Sequence, residues 1–333
     1  MPNLLAMHAP DGLLSPPVAL VTALIAGVAL ASAVRATGHQ LAERQIPLAG
    51  LAAAFVFAAQ MVNFPVASGT TGHLLGGCLA AILLGPWVGL TVVTVVVVVQ
   101  AVLFADGGLT ALGYNVVNMA VVTAFGGWAV FHLMRRVVPK NASGVVVAAG
   151  FAAASSVVLS SIAFSIEWLF GATTEVTFAE VFGAMVGVHA VIGIGEGLIT
   201  GLTVSAVLAA RPDLVAGARD LTRAQLGQRS RVGAAPFVVA SLAAIAIVAA
   251  IVSQFAFDDP DGLEKVAEQR GLLGATTPHS FADSLFADYA TRGIGNERLS
   301  LAVAGLCGAA ITLLVAYGVA VAGRSARPTP RTP

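Results

Sequence analysis

Three histidines, a methionine and a small set of amides and carboxylates carry the chemistry open to this sequence. In MHAPDGLLSP, His8 follows Met7 directly. If Met7 is the first residue of the mature chain, three nitrogens can reach one ion. They are the free α-amine, the deprotonated amide of His8 and its imidazole Nδ1. Together they close fused five- and six-membered rings that lie nearly flat. Square-planar nitrogen ligation suits Ni(II), Cu(II) and low-spin Co(II), and works against tetrahedral Zn(II) or oxygen-seeking Mg(II). A fourth nitrogen from another segment would complete the plane. The competing reading is that His8 only caps or solvates the entry to the apolar run behind it.

That fourth nitrogen is on offer in NFPVASGTTGHLLGG, where His73 stands at an expected helix start behind Gly69, Thr70, Thr71 and Gly72. Hydroxyls at such a start suit capping, and the glycines admit another backbone at close range. Equally, His73 reads as an ordinary helix-entry residue. Further on, VHAVIGIGEGLITG places His189 and Glu196 seven residues apart on one helical face. An ionisable group inside an apolar span marks a functional site by default. Gly193, Gly195 and Gly197 around it point instead to a helix packed closely enough for Glu196 to bond across the contact. Gln60, Asn63, Gln100, Asn115 and Asn118 are further polar groups in apolar surroundings. They read as helix-to-helix hydrogen bonds, or as support for His73.

The remaining candidates are weaker. His39 and His132 fall at a basic end of the spans and His279 in a long loop, none with a partner at ligand spacing. Cys78 and Cys307 sit among Gly, Ala and Leu and read as packing residues. With Lys140 and Lys265 as the two lysines, in VVPKN and LEKVA, no Walker A motif exists and the chain does not itself hydrolyse ATP. No HExxH is present, which disfavours an intramembrane zinc protease.

The elements that must position these residues are membrane helices. Hydrophobic residues make up 57% of the 333 and charged residues 10%, outside the range of a soluble domain. Apolar runs near 20 residues recur, long enough to cross a hydrocarbon core of about 30 Å. Their continuity excludes an alternating β-barrel. The expected spans are 16–36, 47–64, 73–84 with 86–104, 113–134, 145–169, 178–209, 234–256 and 299–322. The fold class is therefore all-α: a polytopic bundle of about seven helices, then a two-helix hairpin around an extracytoplasmic loop. If every span crosses once, 13 of the 17 basic residues fall on one side, which the positive-inside rule makes cytoplasmic. The amino terminus then lies outside and the tail inside. The arginine-bearing stretch between the two parts reads as a solvated cytoplasmic tether, with lipid headgroup contact as the alternative.

Taken in order, MHAPDGLLSP, SGTTGHLLGG, LGPWVG, FADGGLTALGYNVVNMAVV and HAVIGIGEGLITG resemble the CbiM/NikM family. These are the cobalt- and nickel-capture membrane components of energy-coupling-factor ABC transporters. DDPDGLEKVAEQRG and the final span look like the PDGLE-type domain that accompanies them. The implied organisation is a misassigned or trimmed extension at 1–6, a metal-capture domain at 7–210, a basic linker at 211–233, the PDGLE-type domain at 234–322 and a tail at 323–333. The resemblance implies that Met7, His8 and His73 hold the ion; Asn63, Asn115, Asn118, His189 and Glu196, read from their place among apolar residues, are the expected supporting neighbours. It also implies that Co2+ or Ni2+ is the transported substrate, with no prosthetic group, and that cobalt uptake serves cobalamin synthesis. The expected partners are a transmembrane coupling protein, cytoplasmic ATPase subunits and lipid, with no nucleic acid. Placement is the inner membrane of a bacterium or archaeon. The alternative is a stand-alone secondary divalent-metal permease. An enzyme of cobalamin synthesis is disfavoured, because no loop other than 257–298 could house a soluble active site.

Overall fold

A computed structural model describes residues 8–40, 46–66, 69–222, 224–226 and 232–325. Among them, seven helices are long and apolar enough to cross a membrane. The long helices start and stop where local chemistry asks. α7 (Ala142–Gly171) opens on Asn141, whose side chain accepts from Gly144 N. α8 (Phe178–Ala210) opens on a capping box between Thr177 and Glu180. These two pack as an antiparallel pair at backbone range. A Cβ on Gly193 would come within 2.7 Å of the Ala154 carbonyl, and one on Gly197 within 2.6 Å of the Gly150 carbonyl. The small-residue contact expected around Glu196 is thus with α7.

α1 (Pro16–Gln40) lies at the periphery, and α4 (Pro86–Val99) forms the buried centre, continued by a π turn at Gln100–Phe104. α5 (Leu112–Val116) and α6 (Gly127–Met134) are joined by the π-helical stretch Val117–Gly126 into one rod. α9 (Ala234–Ala250) and α11 (Glu297–Ser325) form the second domain's hairpin. They are packed into the bundle, not hung from it. Gly50 of the helix α2 (Ile46–Gln60) touches the Leu313 carbonyl, and Gly308 faces Phe57 and Phe104.

Two expected spans are shorter than their apolar runs. α2 stops at Gln60 after 15 residues, and α3 (Gly77–Leu84) has eight. Between them Phe64–Pro65 (β1) pairs antiparallel with Thr71–Gly72 (β2), and the chain from His73 to Gly76 follows without regular structure. The helix expected to begin at His73 therefore begins four residues later. Gly76, with φ of 79°, supplies a left-handed turn that a helix start at His73 could not contain. Non-helical backbone beside membrane helices persists only where its polar groups find partners inside the protein. Here Glu196 and Gln60 provide them.

The linker also differs from the tether read from its arginines. Residues Pro212–Leu214 and Ala216–Ala218 make short 3-10 turns folded back on the bundle, with Leu214 and Val215 buried. Gly217 sits against Phe131 and Ile82, Arg135 Nη2 donates to Asp220 Oδ2 at 3.0 Å, and Arg211 pairs with Asp213. Intramolecular carboxylates and an apolar patch hold this stretch in place of solvent. Arg223, Arg229 and Arg231 lie outside the described residues.

Candidate metal site

The segment before α1 is stitched into the bundle residue by residue. Asn115 clamps Ala9 from both sides: its Oδ1 accepts from Ala9 N at 3.1 Å and its Nδ2 donates to Ala9 O at 3.0 Å. Tyr114 OH donates to Pro10 O, and Asp11 Oδ1 accepts from both N and Oγ1 of Thr110 at 2.6 Å. Gly107, at φ 83°, leaves room for His8, whose Cβ would lie 2.7 Å from a Cβ added there. His8 is consequently 2% exposed. Neither of its ring nitrogens has a hydrogen-bond partner among the described residues.

His73 arrives from the opposite side. Leu75 N donates to Glu196 Oε2 at 2.6 Å, Gly76 N to Oε1 at 3.0 Å, and Gln60 Nε2 donates to Leu75 O at 3.1 Å. Nδ1 of His73 lies 3.1 Å from Leu74 O. Donation from Nδ1 to that carbonyl turns Nε2 toward the interior as the coordinating atom, the usual way a neighbour fixes an imidazole tautomer.

The two rings meet at 5.7 Å between centroids, inclined by 62°. With metal–nitrogen bonds of roughly 2 Å, two imidazoles held cis on one planar ion stand about 4.4 Å apart by their centroids, so the two rings are neighbours that would close by about 1 Å to share an ion. A carboxylate attends each ring. Asp106 Oδ1 is 3.8 Å from His8 Nδ1, and Asp261 Oδ2 is 3.6 Å from His73 Nε2. Burial pulls the His8 imidazole below its ordinary pKa, against the raising effect of Asp106. Burial also pulls His73 down, but the hydrogen bond and charge of Asp261 outweigh it and push the group up to about 9.

The other residues singled out from the sequence divide clearly. His189 Nδ1 lies 2.8 Å from the Met185 carbonyl, and its ring shares a small cavity with His73, Asp261 and Gly262. Asn118 lies apart, donating to Glu167 at 2.7 Å. Asn63 meets the second domain through its carbonyl, which accepts from Phe257 N. His132 packs edge-on to Trp128, and His279 Nε2 lies 3.2 Å from Gly107 O. Met7 lies outside the described residues, as does the side chain of His39. No cluster of three or more His, Cys, Asp or Glu side chains forms an ion site among the described residues.

Sequence reasoning passed over Asp106, Thr71, Asp261 and Tyr289 as site neighbours. Asp106 follows the left-handed Ala105 at the end of the π turn, and Asp261 caps a helix of the other domain. The one local signal was the D-x-x-E spacing of a capping box. Nothing local says which histidine such a cap will face.

Residues 8–214 match the family model described as the cobalt uptake substrate-specific transmembrane region, and residues 235–325 match the PDGLE domain. The chain is 30% identical to the fused nickel transport protein NikMN of Rhodobacter capsulatus, over 92% of this chain and 94% of that one. It is 34% identical to the cobalt transport protein CbiM of Geobacter sulfurreducens, over 63% and 62% of the two. A crystal structure of a truncated transition metal transporter superposes with a TM-score of 0.54 at 30% identity, covering 60% of this chain and 98% of that chain.

Proposed function

The chain belongs to the family of cobalt-uptake substrate-specific transmembrane regions, with a PDGLE domain behind it, and on that footing we propose that it captures Co2+ or Ni2+ for import. It is a multi-pass membrane protein of cobalt or nickel transport. The proposed ligands are the amine of Met7 as the mature terminus, the amide and imidazole of His8, and the imidazole of His73. One observation carries the reading: two histidines 65 positions apart in sequence meet at 5.7 Å, and neither nitrogen of the buried His8 has a hydrogen-bond partner among the described residues. Asn115 and Glu196 position the two ligand segments, and His189 walls the site. Asn63 and Asn118 take more distant supporting places.

The site faces the outer side and the arginine-rich end the cytoplasm, following the asymmetry of basic residues. Energy comes from partners, a transmembrane coupling protein and cytoplasmic ATPases of the energy-coupling-factor class, since the sequence carries no phosphate-binding loop of its own. Imported cobalt would feed cobalamin synthesis. The domains are proposed as 7–210 for capture, 211–233 for the linker, 234–322 for the auxiliary domain and 323–333 for the tail.

The test is direct titration of purified protein with each ion. His73→Ala should lose high-affinity binding while still inserting and melting like the parent. Unchanged affinity would reduce His73 to a residue of the chain's turn into α3. Uptake into vesicles by the isolated chain, without ATPases, would favour the secondary permease instead.

A further inference from the structure

The second domain enters the site through one short run, Asp259-Pro260-Asp261-Gly262-Leu263-Glu264. The carbonyls of Asp259 and Pro260 accept from Thr71 Oγ1 at 2.8 Å and Thr71 N at 2.9 Å. They thereby fix the run beside β2, two residues ahead of His73. Asp261 caps α10 (Gly262–Arg270): its Oδ1 accepts from Glu264 N at 2.8 Å, and Glu264 Oε2 accepts from Asp261 N at 3.1 Å. Gly262 is the point of closest approach to α8. A Cβ there would lie 2.7 Å from Ile192 and 3.1 Å from His189. The cap uses one carboxylate oxygen. The other, Oδ2, faces His73 Nε2 at 3.6 Å.

The same domain reaches the second flank. Tyr289 OH donates to Asp106 Oδ2 at 2.7 Å, and Gln100 Nε2 donates to Tyr289 OH at 3.0 Å. The remaining oxygen of Asp106 is the one that faces His8. Both carboxylates beside the paired histidines are therefore placed by the loop between α9 and α11, one directly and one through Tyr289.

We propose that the C-terminal domain closes the metal centre, with Asp261 as the positioning residue whose carboxylate faces the ion-binding nitrogen of His73 and retains the captured ion. The inference rests on the metal-capture reading above and deepens it. A divalent ion held by four nitrogens, one of them a deprotonated amide, keeps one unit of positive charge. Burying that charge without a counter-ion is costly. Asp261 stands beside the place where that remaining charge would sit, and without its carboxylate the loaded site would lack a counter-ion. Retention depends on the domain because the carboxylate is carried on its first loop helix.

Asp261→Asn separates charge from structure, since asparagine caps a helix as well as aspartate. Full-length parent and variant in lipid nanodiscs are loaded with Ni2+ or Co2+, then mixed with excess EDTA, and release is followed by ligand-field absorption. The expected result is equal stoichiometry and an absorption band typical of nitrogen ligation in both. Release should be at least about ten-fold faster from the variant, in the range known for lost neighbours of metal ligands. Glu268→Gln, exposed on the same helix, should release at the parental rate. Should the asparagine variant melt early, Asp261→Ser, which also caps without charge, carries the same comparison. Parental release from a folded, loaded, charge-free variant overturns the proposal. A parent that takes up no ion at all sinks the metal-capture reading instead.

Discussion

Glu196 Oε2 accepts the backbone N–H of Leu75 at 2.6 Å, joining the interior of α8 to a segment 121 residues earlier in the chain. Its other oxygen takes the N–H of Gly76. The carboxylate thus anchors the main chain two and three residues after His73.

Replacing Glu196 by Leu should be costly for that reason. Two buried N–H groups would lose their partner, at about 1–3 kcal/mol each, and the run before α3 would lose its register. Thermal melting should fall by several degrees and ion affinity should drop with it. Glu196→Gln keeps one acceptor oxygen and should lie between. Parental melting and affinity for the leucine variant would show that the two N–H groups find other acceptors.

Asn115→Ala should weaken ion binding by about 10–100-fold with little change in the amount of folded protein. Both polar groups of the Ala9 peptide lose their clamp, and the His8 segment loosens where it must hold three of the proposed ligands. Asn118→Ala, whose amide is bonded to Glu167, should change affinity far less. Equal effects from the two would refute a local role for Asn115.

Ion affinity should keep rising with pH between about 7 and 9, where the Met7 amine near 8 and the raised His73 both still lose protons and ordinary imidazoles near 6.5 would have levelled off. His73, raised to about 9 by Asp261 against the pull of burial, is protonated at neutrality, so the ion must displace a proton there. His8, lowered by burial, is already neutral. The sign for the metal-free protein is the reverse. A raised folded-state pKa contributes stability below 6.5 that is lost as pH climbs through about 9. Isothermal titration in two buffers of different ionisation enthalpy counts the released protons. A flat affinity from pH 7 to 9 would contradict the pairing of His73 with Asp261.

Composition and run length were enough to determine a polytopic helical bundle, because a bilayer core sets the length of every apolar helix. Motif order was enough for the family, and it singled out His8 and His73 as the proposed ligands. The helices α7, α8 and α11 lie where their apolar runs lie. Periodicity could not place the end of α2 at Gln60 or the start of α3 at Gly77. Apolar residues there continue past the point where the backbone turns, and the turn is stabilised by Glu196 and Gln60 from elsewhere. Nor could any local pattern pair Asp261 with His73 or Tyr289 with Asp106, separated by 188 and 183 positions. A capping aspartate looks the same in sequence whether its second oxygen meets water or a histidine. That choice is made by the packing of Gly262 on Ile192 and of Thr71 on Pro260, which exists only once both domains have folded against each other.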